Sequence, residues 1–152
     1  MKALTHIASV SEEQVSFGDK LGLNLRGCTI SVAAARVEDA VDTGFRGVVD
    51  LESPTPKQVA LAARFGYEIS HLSRREGAAV IDDLMTQLNR EAIEAEGLAP
   101  GIAVINIHDE SQERYVISSI QPDGTVYLRG GQGRRAWARS LRRADDGRQV
   151  RP

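Results

Sequence analysis

Apolar residues follow two different rhythms along this chain, one before Gly97 and another after Gly101. In the first part the spacing is helical. Ile81, Leu84, Met85, Leu88 and Ala92 recur at i, i+3, i+4, i+7 and i+11, one stripe on a 3.6-residue period. The stripe predicts a helix from Arg74 to Glu96 that stops at Gly97, on the order of 35 Å long at about 1.5 Å per residue. After "GLAPG" (97–101) the period falls to two. "IAVINI", "RYVISSI", "TVYLR" and "AWARSL" read as four short strands, with "QPDG" and "GGQG" as turns.

The helical part is written twice, 44 residues apart. Between 12–39 and 56–83 there are 6 identities in 28 ungapped positions: Gln14, Val15, Gly22, Ala34, Ala35 and Asp39 match Gln58, Val59, Gly66, Ala78, Ala79 and Asp83. "SEEQ" from Ser11 and "TPKQ" from Thr55 both read as capping boxes, in which a hydroxyl and a glutamine satisfy free N–H groups reciprocally. Pro56 sits at the first helical position, where its missing N–H costs nothing. Gly22 and Gly66 stand where a short helix must stop in a left-handed conformation. An extended piece follows, "LNLRGC" or "YEISHL", and then Thr29 or Ser73 caps a second helix, with Ser73 and Glu76 forming a further capping box. Gly44 occupies the place of Leu88, so the earlier second helix should end one or two turns sooner. Such a helix pair buries little alone, and two stacked copies make physical sense. In the linker between copies, Val48, Val49 and Leu51 are expected to form a short strand.

The unit resembles the helix-extended-helix motif of the SAP and LEM-like class. "KQVALAARFGYEISHLSRREGAAVIDDL" is also similar to a short module recurring in bacterial and phage proteins beside nucleic-acid enzymes. The SAP resemblance implies DNA contact at the start of the second helix. There Ser73, Arg74 and Arg75 would meet a phosphate through backbone N–H groups and two guanidiniums. The first copy departs from this, because Thr29, Ile30, Ser31 and Val32 include no basic residue. The C-terminal strand pattern resembles the small barrels of the Tudor/KOW type. The expected fold is therefore α+β: tandem helical-hairpin repeats over 1–98 (copies at 11–44 and 55–97), a small antiparallel β-barrel over 99–144, and a flexible tail over 145–152.

Charge sharpens this division. Residues 1–110 carry 10 basic and 17 acidic side chains, net −7, whereas residues 111–152 carry 9 arginines and 4 acids, net +5, which together return the whole-chain −2. Opposite fields of this kind point to an anion-binding segment or to mutual attraction. "RGGQGRRAWARSLRR" gathers Arg129, Arg134, Arg135, Arg139, Arg142 and Arg143 around Trp137, the only tryptophan. Guanidiniums fork onto phosphates and an exposed indole stacks on bases. A buried core Trp137 with the arginines turned to the acidic helices is the competing arrangement. The first arrangement predicts a non-enzymatic adaptor that binds DNA or RNA. The other leaves a basic face for an acidic protein partner.

Other chemistry is sparse. "GQGRRA" (131–136) fits a dinucleotide-loop spacing, but too little chain follows for the helix, strand and distal acid that such a fold requires. His6, His71 and His108 show no paired metal-ligand spacing, and Asp82 and Asp83 are helix neighbours whose side chains diverge. No metal, cofactor or catalytic group is expected. Cys28, the only cysteine, excludes an internal disulfide and reads as a buried thiol in a reducing, cytoplasmic setting. The longest apolar run falls well short of the ~20 residues of a membrane helix, and the first residues lack the apolar block of a secretory signal.

Overall fold

Local signals account for where each helix begins and ends. In the computed structural model, which describes residues 1–144, helix α1 spans Glu12–Lys20 and helix α3 spans Pro56–Ala63. Both capping boxes are closed: the Gln14 and Gln58 N–H groups donate to Ser11 Oγ and Thr55 Oγ1 at 3.2 Å, and each glutamine Oε1 accepts from the cap N–H at 2.8 Å. Both helices stop the same way. Leu23 N–H donates to Gly18 O and Tyr67 N–H to Ala62 O, around Gly22 and Gly66 at φ 75° and 83°. That pairing is the left-handed stop for which glycine is suited. Helix α2 spans Ile30–Phe45 behind the Thr29 cap, and helix α4 spans Arg74–Glu96 behind Ser73. The expected ends of α4 agree with these bounds, and α2 ends two turns earlier relative to its start. The flexible tail expected at 145–152 lies outside the described residues.

The chain divides into two units. The first comprises Met1–Met85 and the second begins at Thr86, so the division falls within α4. In the first unit the extended pieces drop Leu25 (2% exposed) and Cys28 into the interior beside Val32, Ala33, Ala35 and Ala79, and Ile69 is buried as well. Two aspartates tie the helix pairs together crosswise. Asp39 on α2 accepts from Ser73, the cap of α4, and from Arg75 Nη1 at 2.9 Å. Asp83 on α4 accepts from Thr29, the cap of α2, and from Ser31. Two expectations fail here. Val48, Val49 and Leu51 form no strand, since no neighbouring strand offers them an edge to pair with, and Val49 is 89% exposed. The Ser73–Glu76 capping box closes on one side only: the Glu76 N–H reaches Ser73 Oγ at 3.0 Å, but its carboxylate is held by Arg36 Nε and Nη2 at 3.0 Å.

In the second unit, β1 (Ala103–Asn106), β2 (Tyr115–Ile120), β3 (Thr125–Leu128), β4 (Arg135–Trp137) and β5 (Leu141–Arg143) form an antiparallel sheet ordered β4-β3-β2-β1-β5. Val104, Ile117, Val126, Leu128, Ala138, Leu141 and Leu98 make its core, with Ala92 and Ile93 of α4 against it. The chain is thus α+β, and two corrections apply to its β part. "AWARSL" is not one strand: a 3-10 turn at Ala138–Ser140 separates β4 from β5, which pairs instead with β1. Nor is the sheet closed into a barrel, for β4 and β5 remain its two edges. Each has three residues and the turn between them is not a hairpin, so their backbones are not presented to each other for pairing. Among the described residues no helix is long and apolar enough to cross a membrane.

Candidate nucleic-acid interface

Strand alternation sends Val126 and Leu128 into the core and turns Thr125 and Tyr127 to the opposite face of β3. Register then places Trp137 opposite Thr125 and Arg135 opposite Tyr127. The result is a shallow depression of about 700 Å³ lined by Tyr127, Arg135, Trp137, Thr125 and the Gln121–Asp123 turn. Trp137 is 46% exposed in it and Arg135 is exposed. One aromatic on each of two adjacent strands, with Arg135 lining the same depression, supplies stacking surface and positive charge together.

A buried amide holds this arrangement. Asn89 of α4, 1% exposed, donates from Nδ2 to Asp123 O at 3.0 Å and accepts at Oδ1 from the Arg139 N–H at 3.1 Å and Arg139 Nη1 at 3.2 Å. It therefore clamps the turn on one side of Trp137 and the 3-10 turn on the other. Gly124, at φ 89°, is the residue that lets the turn approach. A Cβ there would stand 2.1 Å from Asn89 Cβ. Its carbonyl also accepts from the Ala138 N–H at 2.9 Å.

The arginines that stand together in sequence do not stand together in space. Arg139 lies over the Trp137 ring, 5.1 Å from its centre, and burial lowers its pKa from the usual guanidinium value. Arg134 sits over the Tyr115 ring at 5.4 Å. The Tyr115 hydroxyl donates to Glu113 at 2.7 Å, and that bond, with burial second, raises the phenol's pKa. Arg129 is exposed just after β3. On β5, Arg142 Nη1 donates to the Leu141 and Arg139 carbonyls at 2.8 and 3.2 Å. Arg143 N–H donates to Glu96 Oε1 at 2.8 Å, and its Nη1 lies 3.1 Å from where a Cβ on Gly97 would stand. Arg143 thus covers the C-terminal end of α4, where a cation complements the helix dipole.

Arg74 and Arg75, expected from sequence to meet a phosphate, are engaged within the first unit. Arg74 pairs with Glu52 and donates Nε to Ser53 O at 2.9 Å, and Arg75 holds Asp39 and Asp42 at 2.9 Å each. Tyr127 and Asn89 were not singled out by sequence, and the Gln121–Asp123 segment was read as a turn but not as part of a site. For Tyr127 the signal was present, since it alternates with Val126 and Leu128. Among the described residues no cluster of three His, Cys, Asp or Glu side chains is placed to hold a metal ion. Burial raises the pKa of the Cys28 thiol, which suits an inert core group. No protein-family model matches this chain, and no curated protein or solved structure matches it.

Proposed function

We propose that the protein is a non-enzymatic, nucleic-acid-associated adaptor, and that the β2–β3–β4 face of its second unit holds a nucleic-acid strand. The observation that carries the reading is Trp137, 46% exposed on the same strand as exposed Arg135, which lies across from Tyr127. A core tryptophan would have argued the other way. Arg135 contributes phosphate contact, Trp137 and Tyr127 contribute stacking, and Arg129 and Arg134 extend the positive field. Arg142 and Arg143 lie on β5, and Arg74 and Arg75 are neutralised by acids, so none of these four belongs to the proposed surface. We also infer that the first unit consists of two copies of one helix-extended-helix element. Support comes from helix starts 44 residues apart, paired caps and paired glycine stops.

Fluorescence anisotropy with labelled single- and double-stranded DNA and RNA at several salt concentrations tests the adaptor reading. Binding should weaken with a log–log salt slope of about −2 to −3, as expected for about three displaced counterions. Trp137→Ala should weaken it about tenfold through lost stacking, and Arg135→Ala should also flatten the slope. Absence of binding at about 10 μM protein in low salt, where non-specific binders register, rejects the reading. Equal displacement by polyglutamate would indicate an acidic protein partner instead.

A further inference from the structure

The first unit carries an open apolar groove that the adaptor reading does not use. It lies between α1 and α2, has a volume of about 480 Å³, and is lined by Phe17, Leu25, Ile30, Ala33, Ala34 and Val37. Phe17 is 58% exposed and Ile30 47%, while Leu21, at the C-terminal end of α1, is 53% exposed. Large apolar side chains grouped along one face of a helix pair mark an interaction site more often than chance exposure does.

The second helix pair shows how this protein treats the same surface when it is to be covered. Ile30 and Arg74 are each the first residue of their helix. Arg74 turns back onto the preceding segment, bonding Ser53 O and pairing with Glu52, and Pro54 is buried with Cγ 3.0 Å from where a Cβ on Gly77 would stand. Val48, Leu51 and Glu52 thereby share a depression with Gln58, Arg74 and Ala78. The residues 44 places earlier, Gln14, Ile30 and Ala34, line the open groove with no such segment among its walls. Backbone pairing at this point is equivalent in both, Ile30 N–H to Ala8 O and Arg74 N–H to Glu52 O, so the difference lies in the side chains.

Charge says what fits. Glu13 and Glu38 are the charged residues lining the groove, and no Lys, Arg or His lines it. Arg46 approaches Glu38 only at 3.5 Å and holds Asp42 more closely at 2.9 Å. We propose that this groove docks a basic amphipathic segment of a partner protein. Two or three apolar side chains of that segment seat on Phe17, Ile30, Ala34 and Val37, and flanking lysines or arginines reach Glu13 and Glu38. The inference is independent of nucleic-acid binding by the second unit.

A display library of random 16-residue segments, panned in parallel on the full chain and on its Ile30→Arg variant, tests it without presuming a sequence. Ile30→Arg is exposed and copies what stands at Arg74, so it should fold, which circular dichroism checks. Phe17→Ser is the second variant. The expected result is enrichment of segments with apolar residues at helical spacing flanked by Lys or Arg. These should be lost on both variants, and the purified peptides should bind at least tenfold more weakly to Glu13→Lys/Glu38→Lys. Enrichment of acidic or uncharged segments overturns the proposal, as does a failure to enrich anything sensitive to Phe17 and Ile30. Sedimentation equilibrium supplies the remaining arm: self-association abolished by Ile30→Arg would make a second copy the occupant and would also overturn it.

Discussion

Most arginines serve different ends in the two units, although exposed Arg64 of the first has no carboxylate within ion-pair reach among the described residues. In the first, Arg26, Arg36, Arg46, Arg74 and Arg75 each meet a carboxylate: Asp19, Glu76, Asp42, Glu52, and Asp39 with Asp42. In the second, Arg129, Arg135, Arg142 and Arg143 have no carboxylate within ion-pair reach of their guanidiniums among the described residues, and Arg134 and Arg139 rest on aromatic rings. The residue type is the same and the consequence is opposite. An arginine whose acid stands one helix turn away, or across a helix pair, is spent on holding the fold. One placed on a short edge strand with no acid in reach keeps its charge for something else.

The largest expected effect follows from that contrast. Glu76 is only 9% exposed, so Arg36→Ala leaves a nearly buried carboxylate without its cation. Breaking a buried pair costs about 3–5 kcal/mol. Because the Arg36 side chain is 35% exposed and water can enter in its place, about 2–3 kcal/mol is the expected loss. Arg135→Ala should instead stay within about 0.5 kcal/mol of the parent, as surface substitutions usually do. Urea denaturation of both variants measures the difference directly. Similar losses would erase the distinction between structural and available arginines.

A smaller effect sharpens the same comparison by pH. Hydrogen bonds from Arg75, and next from Arg46, lower the Asp42 carboxyl below its ordinary range. A carboxylate depressed in the folded state contributes stability above its unfolded pKa and loses it as pH falls through the folded value. Asp42→Asn should therefore lower the urea midpoint at neutral pH, and the gap to the parent should narrow in acid and close below the folded pKa. Arg135→Ala, with no carboxylate partner, should show no such narrowing. A gap of constant size for Asp42→Asn would mean that its role is steric, with the two arginines contributing nothing through charge.

Much of the first unit was legible because its signals are local. Ser11 with Gln14, Thr55 with Gln58, the two glycine stops and the bounds of α4 all depend on residues within a turn of one another. What failed depends on partners remote in sequence. The linker apolars could form a strand only beside an edge that does not exist. The Glu76 carboxylate was taken by Arg36, 40 positions away. At the candidate site, Arg135 and Trp137 are brought to one face by strand alternation, but the 3-10 corner at Ala138–Ser140 carries Arg142 and Arg143 off to β5. The run of arginines gave no sign of that corner. Asn89 was least visible, since an asparagine inside a helix is unremarkable until Gly124 approaches it.

Arg139 is where the comparison is closest to breaking, and it carries the smallest expected effect. It is the arginine of the second unit that is both structural, through Asn89, and placed against the proposed stacking surface, through Trp137. Arg139→Lys keeps the charge and the backbone N–H bond to Asn89 Oδ1 but loses the planar fork that reaches Asn89 and the ring at once. The cation–π contact and one neutral-acceptor hydrogen bond together set the loss at about 1 kcal/mol. Emission from Trp137, the only tryptophan, reports on the ring directly. A shifted emission maximum, with nucleic-acid affinity changed less than about threefold, would place Arg139 on the structural side beside Arg36. An affinity loss as large as that of Arg135→Ala, with unchanged urea midpoint, would place it on the other side and make the Trp137–Arg139 pair one recognition element.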